Sequence, residues 1–322
     1  MRLINTTTLQ QRNFLGKPPP YAILSHTWGE EEVAFKDFAD DEARACLQGW
    51  TEVVNCCQLA AADGWEWVWI DTCCSDSAEL SEVINSMFRF YEEAHICYAY
   101  LADVPLRTRL LTDSDSDSDE EAEVTLYPWA LEVENSRYFK RGWTLQELLA
   151  PSYLVFLDQE WGRIGTREEF AAEIYRATAI HPRHLVGFRN CSVAVKLSWA
   201  AYRKTTRAED RAYSMLGLLG INMPLLYGEG KKAVIRLQQE LIRSYNDEII
   251  LAWGSNYGSD ESGTLAPSLD DFSYCSALQT AVFDQDRQGF TLSNVGLVLN
   301  AEVFQDLESG NSPKFSINLN CT

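Results

Sequence analysis

Four short apolar runs separated by amphipathic helical patterns occupy the first 160 residues, and this alternation restricts the fold more than any other feature. The runs have the length and composition of buried strands, and they lie at residues 21–25 (YAILS), 67–71 (WVWID), 96–101 (ICYAYL) and 154–158 (LVFLD). Parallel strands need long crossover connections, usually helices, so strands that alternate with helices predict a parallel sheet. We therefore expect an α/β fold in which a parallel sheet is flanked by helices on both faces.

The connecting segments show the periodicity that such helices need. Apolar residues recur at helical spacing in three segments, at residues 50–61, 80–91 and 143–150. Asp76 and Glu79 form a capping-box pattern just before the second segment, which predicts where that helix begins.

Near residue 166 the alternation of strand and helix patterns gives way to successive helical patterns, and we place a domain boundary there. We predict an α/β domain over residues 1–165, a helical extension over 166–250 and a β-rich C-terminal segment over 251–322. Thr166 and Glu169 open the helical part with a second capping-box pattern. The chain stops without a closing feature, so one interpretation is that the C-terminal segment is truncated.

One run, residues 113–123 (DSDSDSDEEAE), carries seven acidic side chains and no basic one. This composition predicts a solvated, disordered acidic loop, which we place at residues 112–124. The alternating Asp residues resemble the start of a calcium-binding EF-hand loop, but the central Gly and the closing spacing are absent. Whether the serines accept phosphate is left open.

The net charge limits the partners of the chain. It is −20 for the whole sequence and still −13 without the acidic run. Sequence-independent binding to nucleic acid or to anionic lipid needs a positive field, so we expect neither as a partner. A single dinucleotide held by local amides and one arginine remains compatible with this charge.

The cysteines and the N-terminus indicate a reduced, cytoplasmic protein. There are nine cysteines, an odd number, with two adjacent pairs and no Cys-x-x-Cys spacing. Neither a disulfide framework nor a cysteine zinc site is therefore predicted. The N-terminus lacks the apolar run of a signal peptide, and no segment is long enough to span a membrane.

Common catalytic and metal-binding motifs are absent from the sequence. The four histidines are separated, and His181 and His184 have no third ligand nearby, so no metal site is predicted. No Gly-x-Ser-x-Gly nucleophile elbow occurs. Residues 228–232 (GEGKK) lack the spacing of a phosphate-binding P-loop and instead predict a turn that leads into a helix.

Three segments together resemble the core motifs of the fungal heterokaryon-incompatibility (HET) domain. They are residues 21–32 (YAILSHTWGEEE), 67–94 (WVWIDTCCSDSAELSEVINSMFRFYEEA) and 141–151 (RGWTLQELLAP). Residues 205–233 resemble the stretch that usually follows this domain. The loop after Cys74 is shorter than the family pattern, which puts the usual contacts of that loop in doubt.

HET domains in turn resemble Toll/interleukin-1 receptor (TIR) domains. Residues 21–31 (YAILSHTWGEE) resemble the first TIR strand and its loop, and residues 143–148 (WTLQEL) resemble the plant TIR segment Trp-Cys-Leu-x-Glu-Leu. The glutamate of that segment is catalytic in NAD-cleaving members. The resemblance therefore implies a TIR/flavodoxin-like core with Glu147 as the catalytic residue and Trp143 as its neighbour.

The chemistry of NAD cleavage fits side chains near these motifs. Breaking the nicotinamide–ribose bond passes through an oxocarbenium-like state, whose positive charge the carboxylate of Glu147 can stabilise. Tryptophan stacks on flat rings, backbone amides at a strand end hold phosphate, and arginine pairs with phosphate. The expected substrate-binding residues are Ser25, His26, Thr27, Trp28, Gly29, Asp71, Arg141 and Trp143.

Structural roles for the same residues stay open at this point. Trp28 and Trp143 are equally suited to be core aromatics, and His26 to be a capping hydrogen-bond donor. Asp71 can orient the loop rather than touch substrate, and a glutamate in a short helix, such as Glu147, is usually solvated.

The expected function is that of an effector of self/non-self recognition and regulated cell death. It would hydrolyse NAD to nicotinamide and ADP-ribose, or a cyclic form, as a homo-oligomer; NAD is the substrate, and no cofactor is expected. One alternative is a signalling module without catalysis that acts by homotypic, TIR-like assembly. A third interpretation keeps the nucleotide site but uses it to bind or transfer ADP-ribose.

Overall fold

The computed structural model divides the chain into two compact units, residues 1–83 with 89–185 and residues 84–88 with 186–322. It describes residues 1–74, 80–105, 128–254, 263–278, 291–293, 296–298, 303–306 and 314–317. The predicted acidic loop at 112–124 and the capping pair of Asp76 and Glu79 lie outside the described residues. No helix in the described part combines the length and the apolar character needed to cross a membrane.

The first unit is built on a mixed sheet, in which seven strands are described. They are β1 (Arg2–Asn5), β2 (Gln11–Asn13), β3 (Ala22–His26), β4 (Trp67–Trp69), β5 (Ile96–Tyr100), β6 (Leu154–Leu157) and β7 (Arg163–Thr166). Their spatial order is β2-β1-β4-β3-β5-β6-β7. The pairs β3–β4, β3–β5 and β5–β6 are parallel, which confirms the four strands and the parallel core predicted from the apolar runs.

The expectation that the sheet is parallel throughout is wrong, because strands at both edges are antiparallel. β1 pairs antiparallel with β2 and with β4, and β7 pairs antiparallel with β6. An edge strand carries a weaker apolar signal than a central one; the three residues of β2, for example, are all polar and mostly exposed. The β6–β7 turn is fixed by Asp158, whose carboxylate accepts hydrogen bonds from the amides of Glu160 and Gly162.

The helices of the first unit lie between its strands and after the last of them. They are α1 (Asp41–Ala45), α2 (Gly49–Ala62), α3 (Asp71–Cys74), both ends of α4 (Leu80–Glu93), α5 (Pro128–Asn135), α6 (Thr144–Leu149), α7 (Ala171–Thr178) and the first part of α8 (Pro182–Gly187), whose last two residues belong to the second unit. α2, α4 and α6 confirm the three predicted helices. α2 ends where Gly64 adopts a φ of 85°, a left-handed conformation that glycine takes without strain.

The predicted capping pair of Thr166 and Glu169 forms its hydrogen bonds, although the α-helix begins later. The amide of Thr166 donates to Glu169 Oε2 at 2.7 Å, and the amide of Glu169 donates to Thr166 Oγ1 at 3.3 Å. This reciprocal pattern is that of a capping box. α7 nevertheless starts only at Ala171, after a further turn of the chain.

The centre of the sheet is covered on both faces. Every residue of β3 and of β5 is buried, although successive side chains of a strand point to opposite faces. Burial of both sets of side chains requires protein on both sides of the sheet, as expected for strands joined by helices.

The order of the parallel strands reverses beside β3. From β3 the chain passes to β4 on one side, and it later returns to β5 on the other side. In open α/β sheets such a reversal leaves a crevice at the carboxyl ends of the strands, where ligands bind. Ser25 and His26 end β3 at this reversal.

The second unit contains helices and then short strands. Its α-helices are the centre of α4 and α9 (Val193–Ser198), α10 (Asp210–Tyr213), α11 (Leu216–Leu219) and α12 (Lys232–Ser244). Among its described residues the strands form two antiparallel pairs, β8 (Thr291–Leu292) with β9 (Leu297–Val298) and β10 (Val303–Asp306) with β11 (Lys314–Ile317). The predicted succession of helices and a β-rich segment is thus observed.

The glycine-rich segment before α12 is the predicted turn. Gly228 and Gly230 both have positive φ, and the helix starts directly afterwards at Lys232. Glu209 accepts hydrogen bonds from the amides of Gly228 and Gly230 at 2.8 and 2.9 Å. A carboxylate of the chain itself therefore occupies the position that an anion would take at these two amides.

Candidate functional site

A buried hydrogen-bond chain joins the end of β3 to helix α6. The Ser25 hydroxyl donates to Glu147 Oε2 at 2.6 Å, and the hydroxyls of Ser25 and Tyr138 lie 2.8 Å apart. The three side chains are 0%, 2% and 1% exposed for Ser25, Glu147 and Tyr138. An ionised Glu147 can only accept a hydrogen bond, so the Ser25 hydroxyl donates to it and the Tyr138 hydroxyl then donates to Ser25 Oγ.

The position of Glu147 follows from the helix that carries it. All six residues of α6 are buried, so this helix is enclosed by protein rather than lying on the surface. Thr144 fixes its start, because the Thr144 hydroxyl donates to the carbonyl oxygen of Arg141 at 3.0 Å. Glu147 is the one ionisable side chain of the six, and it is not the solvated residue usual for a short helix.

The surroundings of Glu147 raise its pKa to about 7. Burial is the largest cause, and the negative charge of Asp71 adds to it. The guanidinium of Arg141, the hydrogen bond from Ser25 and the charge of His26 act in the opposite direction. A carboxyl group poised near neutral pH within a polar cluster is typical of functional sites.

Arg141 links the start of α6 to the loop after β3. Its Nη1 donates to the carbonyl oxygen of His26 at 2.7 Å, and its Cζ lies 4.7 Å from the centroid of the Trp28 ring. The second distance is that of a cation–π contact. Because Trp28 is 52% exposed, it is not a core aromatic, and this arginine–indole pair is accessible to a ligand.

Asp71, the first residue after Ile70 and the strand β4, is bonded to the same loop. Trp28 Nε1 donates to Asp71 Oδ2 at 2.8 Å. The other carboxylate oxygen, Oδ1, lies 3.7 Å from His26 Nδ1. Asp71 therefore orients the loop after β3, which is one of the two roles left open for it by the sequence.

His26 lies among three carboxylates. Its Nε2 is 3.6 Å from Glu32 Oε2 and 3.8 Å from Glu52 Oε2, while Nδ1 faces Asp71. We call these four residues the carboxylate–histidine cluster. Burial alone lowers the pKa of His26, but the surrounding carboxylates raise it to about 9.

The two glutamates of the cluster differ in their ionisation. Burial raises the pKa of Glu52 despite the opposing charge of His26. Burial also acts to raise the pKa of Glu32, but His26, the amide of Gly29 and the guanidinium of Arg141 together lower it. Glu32 is thus the more firmly ionised of the two.

The remaining predicted residues lie beside this network. Thr27 is buried in the loop after β3, and the amide of Gly29 donates to Glu32 Oε1 at 2.6 Å. Trp143 is half-buried at the N-cap position of α6. The contacts bring together six of the predicted residues, Ser25, His26, Trp28, Asp71, Arg141 and Glu147. Their catalytic and binding roles stay predictions.

Three residues of the site were not predicted from the sequence. Glu32 ends the acidic run that follows β3, so its position after a strand end was a usable signal. Glu52 lies in the first turn of α2 and Tyr138 in the 3₁₀-helix Arg137–Lys140. Neither segment has a motif that points to the end of β3.

The part of the chain that forms this site is similar in sequence to known proteins. The family described as heterokaryon incompatibility protein (HET) matches residues 21–147, a range that contains all the site residues described above. The vegetative incompatibility protein HET-E-1 of Podospora anserina is 44% identical over 234 residues, which make up 70% of this chain. The match covers 16% of the length of HET-E-1. No solved structure matches this chain.

Proposed function

The chain is a heterokaryon-incompatibility (HET) domain protein, and from this premise we propose that it is an effector of vegetative incompatibility that hydrolyses NAD. The biological role is supported by the similarity to HET-E-1, whose name describes a vegetative incompatibility protein. The chemical role is supported by the site at the end of β3. Regulated cell death would then follow from the loss of NAD.

The strand order supports a TIR/flavodoxin-like core for this activity. The four parallel strands lie side by side in the order β4-β3-β5-β6. If they are renumbered 1 to 4 in chain order, this spatial order is 2-1-3-4. Flavodoxin-like sheets begin with the same order and bind a nucleotide cofactor where it reverses. In this chain the reversal lies at β3, next to Ser25 and Glu147.

The observation that carries the proposal is the hydrogen bond between Ser25 and Glu147. It places a buried carboxyl group with a pKa of about 7 at the carboxyl end of the strand where the sheet order reverses. In this closed arrangement the Ser25 hydroxyl occupies the position on Glu147 that a ribose hydroxyl would take. We propose that substrate displaces Ser25, and that homotypic assembly opens the site.

The proposed reaction breaks the bond between C1′ of the ribose and the nicotinamide nitrogen. The bonding electron pair moves to that nitrogen, so the positively charged ring leaves as neutral nicotinamide without a general acid. Water adds to C1′ and releases a proton, which yields ADP-ribose; attack by the adenine of the same molecule would give a cyclic form. The ionised carboxylate of Glu147 stabilises the oxocarbenium-like state between these steps.

Arg141 and Trp28 are suited to hold the rest of the dinucleotide. An arginine forms charge-assisted hydrogen bonds to phosphate, and an exposed indole stacks on a flat ring. Both groups lie in the loop region beside β3 and already contact each other. We propose that they bind the diphosphate and one base of NAD.

Nicotinamide release from NAD by the purified chain tests the proposal. The assay is run over protein concentrations that include both monomer and oligomer, as determined by light scattering. We expect release by the wild type and a loss of at least about 100-fold in Glu147→Gln, because removal of one electrostatic stabiliser costs rates of this order. Glu132→Gln, the same change at an exposed residue of α5, serves as the matched control.

Two outcomes would contradict this assignment. Equal nicotinamide release by the wild type and Glu147→Gln would exclude Glu147 as the catalytic residue. Absence of release at every concentration would instead favour signalling by assembly without catalysis. The full burial of Glu147 favours that second candidate, since a buried hydrogen-bond network can serve to hold β3 against α6.

The products separate hydrolysis from ADP-ribose transfer. Mass spectrometry detects free ADP-ribose or its cyclic form after hydrolysis or cyclisation. If ADP-ribose is found on the protein itself or on an added acceptor, transfer is the reaction. Nicotinamide appears in either case, so the fate of C1′ is the informative measurement.

A further inference from the structure

We propose that the carboxylate–histidine cluster binds a divalent zinc ion, with His26, Glu32 and Glu52 as ligands. One ligand atom from each, the histidine Nε2 and a carboxylate oxygen from each glutamate, lies within 4.8 Å of the other two. Zinc is bound in proteins by imidazole nitrogen together with carboxylate oxygen. Zinc binding at this cluster does not depend on NAD cleavage, and no metal site was predicted from the sequence.

The spacing of the three ligand atoms is close to what zinc requires. His26 Nε2 is 3.6 Å from Glu32 Oε2 and 3.8 Å from Glu52 Oε2. Ligands about 2.0–2.2 Å from a tetrahedral zinc are themselves separated by about 3.4 Å. The two histidine–carboxylate distances lie within about 0.4 Å of this separation, and the two glutamate oxygens lie within 4.8 Å of each other, so local movement of the carboxylates can bring the three ligands to one zinc ion.

Buried polar atoms in the cluster have no hydrogen-bond partner among the described residues. They include His26 Nδ1, Glu52 Oε2 and Asp71 Oδ1. His26 is 2% exposed, and its distances to the three carboxylates exceed hydrogen-bond length. Buried polar groups are nearly always bonded, and Glu52 Oε2, which faces His26 Nε2 at 3.8 Å, would gain its missing partner from a cation that replaces the imidazole proton between them.

Asp71 completes the pattern of a zinc-binding histidine. A histidine that binds zinc through one ring nitrogen usually donates the other N–H to a carboxylate, which fixes the ring orientation. Here Nε2 faces the two glutamates, and Nδ1 faces Asp71 Oδ1 at 3.7 Å. Asp71 is thus a positioning residue, which Trp28 holds in turn through its hydrogen bond to Oδ2.

Gly49 holds the two glutamates together. Its amide donates to the carbonyl oxygen of Glu31 at 2.9 Å. A Cβ at position 49 would lie 3.0 Å from Glu32 Cα and 3.1 Å from Glu32 Oε2. Only glycine lets the start of α2, which carries Glu52, approach Glu32 this closely.

The nature of the ligands favours zinc over magnesium and calcium. Mg²⁺ and Ca²⁺ prefer oxygen ligands, and Mg²⁺ keeps several waters, whereas imidazole nitrogen suits zinc. Three protein ligands leave a fourth position for water or for an oxygen of a bound molecule.

Zinc titration of the full chain without nucleotide tests the inference. Binding is followed by calorimetry and by the rise in Tm that a ligand specific for the folded state produces. We expect saturable binding of one Zn²⁺ and none of Mg²⁺ or Ca²⁺ at the same concentrations. Glu52→Gln and Glu32→Gln should each weaken zinc binding more than about 10-fold, and Asp71→Asn by about 10- to 100-fold.

Glu31→Gln is the matched control, because it removes the same charge from an exposed neighbour of Glu32. It should bind zinc as the wild type does. Zinc that stays bound in Glu52→Gln and Glu32→Gln would belong to another site, such as the exposed thiol of Cys46, and would overturn the inference. The zinc site would also be contradicted if folded wild-type protein showed no saturable zinc binding, whether or not that protein cleaves NAD.

Discussion

The Ser25 hydroxyl donates a hydrogen bond of 2.6 Å to Glu147, and this contact holds the end of β3 to the enclosed helix α6. Both side chains are buried and are therefore shielded from bulk solvent. The contact therefore stabilises the fold and also sets the ionisation of Glu147. Substitution of Ser25 should affect both properties.

We predict that Ser25→Ala lowers the free energy of unfolding by about 1–3 kcal/mol. Glu147 loses a donor and Tyr138 loses its partner on Ser25, and unsatisfied buried groups cost about this much. Urea denaturation measures the change. Ser152→Ala, the same substitution at an exposed site, should change the free energy by less than about 0.5 kcal/mol. Equal effects of the two substitutions would contradict a stabilising role for the Ser25 hydroxyl.

The ionisation of Glu147 should make the fold less stable as pH rises. Its pKa is about 7 in the folded chain against the ordinary glutamate value of 4.5 expected in the unfolded chain, so the folded state binds more protons between these two pH values. The stabilisation is present below the unfolded pKa and is lost as pH rises through about 7. Its full size is about 3 kcal/mol, from the difference between the two pKa values.

Comparison with Glu147→Gln isolates the contribution of Glu147 to the pH dependence of the free energy of unfolding, because the wild type and the variant share all other ionisable groups. The free energy of unfolding of the wild type, relative to Glu147→Gln, should fall between pH 4.5 and pH 8. Relative to Glu132→Gln, which removes an exposed carboxylate, no such fall is expected. If the wild type and Glu147→Gln keep a constant difference over this range, Glu147 does not have a raised pKa.

The centre of the sheet could be predicted from the sequence because its strands are buried on both faces. Burial on both faces explains why three consecutive apolar residues, Ala22, Ile23 and Leu24, begin β3, and β3 is indeed buried throughout. The edge strands gave no such signal: β2 is polar, and β7 is only partly buried. Their antiparallel pairing depends on contacts with neighbouring strands, which local pattern does not encode.

The site was predictable only where a motif marks it. Ser25 and Glu147 lie in the two segments that resemble HET and TIR motifs, and the structure brings them into contact. Glu52 and Tyr138 reach the same region from helices whose sequences carry no chemical motif. Their proximity to His26 and Ser25 is a property of how helices pack on the sheet, which a single sequence does not reveal.

Arg141→Lys should raise the KM for NAD by about 10-fold or more and change kcat less. Arg141 contacts both a backbone oxygen and the Trp28 ring, and lysine lacks the planar, multidentate guanidinium that such contacts use. Steady-state kinetics of nicotinamide release measure both constants. Arg12→Lys, which also removes a guanidinium above an aromatic ring, is the control on the edge strand β2. A larger loss in kcat than in KM would place Arg141 in the chemical step instead.

Gly217→Ala should destabilise the second unit by about 3 kcal/mol. A Cβ at position 217 would lie 2.1 Å from the Cβ of Phe88, an atom that no side-chain rotation can move. Backbone shifts are then needed, and overpacking of this kind costs about 1–3 kcal/mol or more. Gly187→Ala is the matched control in the same unit, since a Cβ there meets nothing within 4 Å. Thermal unfolding should show a clear loss of Tm for Gly217→Ala, and a Tm equal to that of Gly187→Ala would refute the close approach of Phe88.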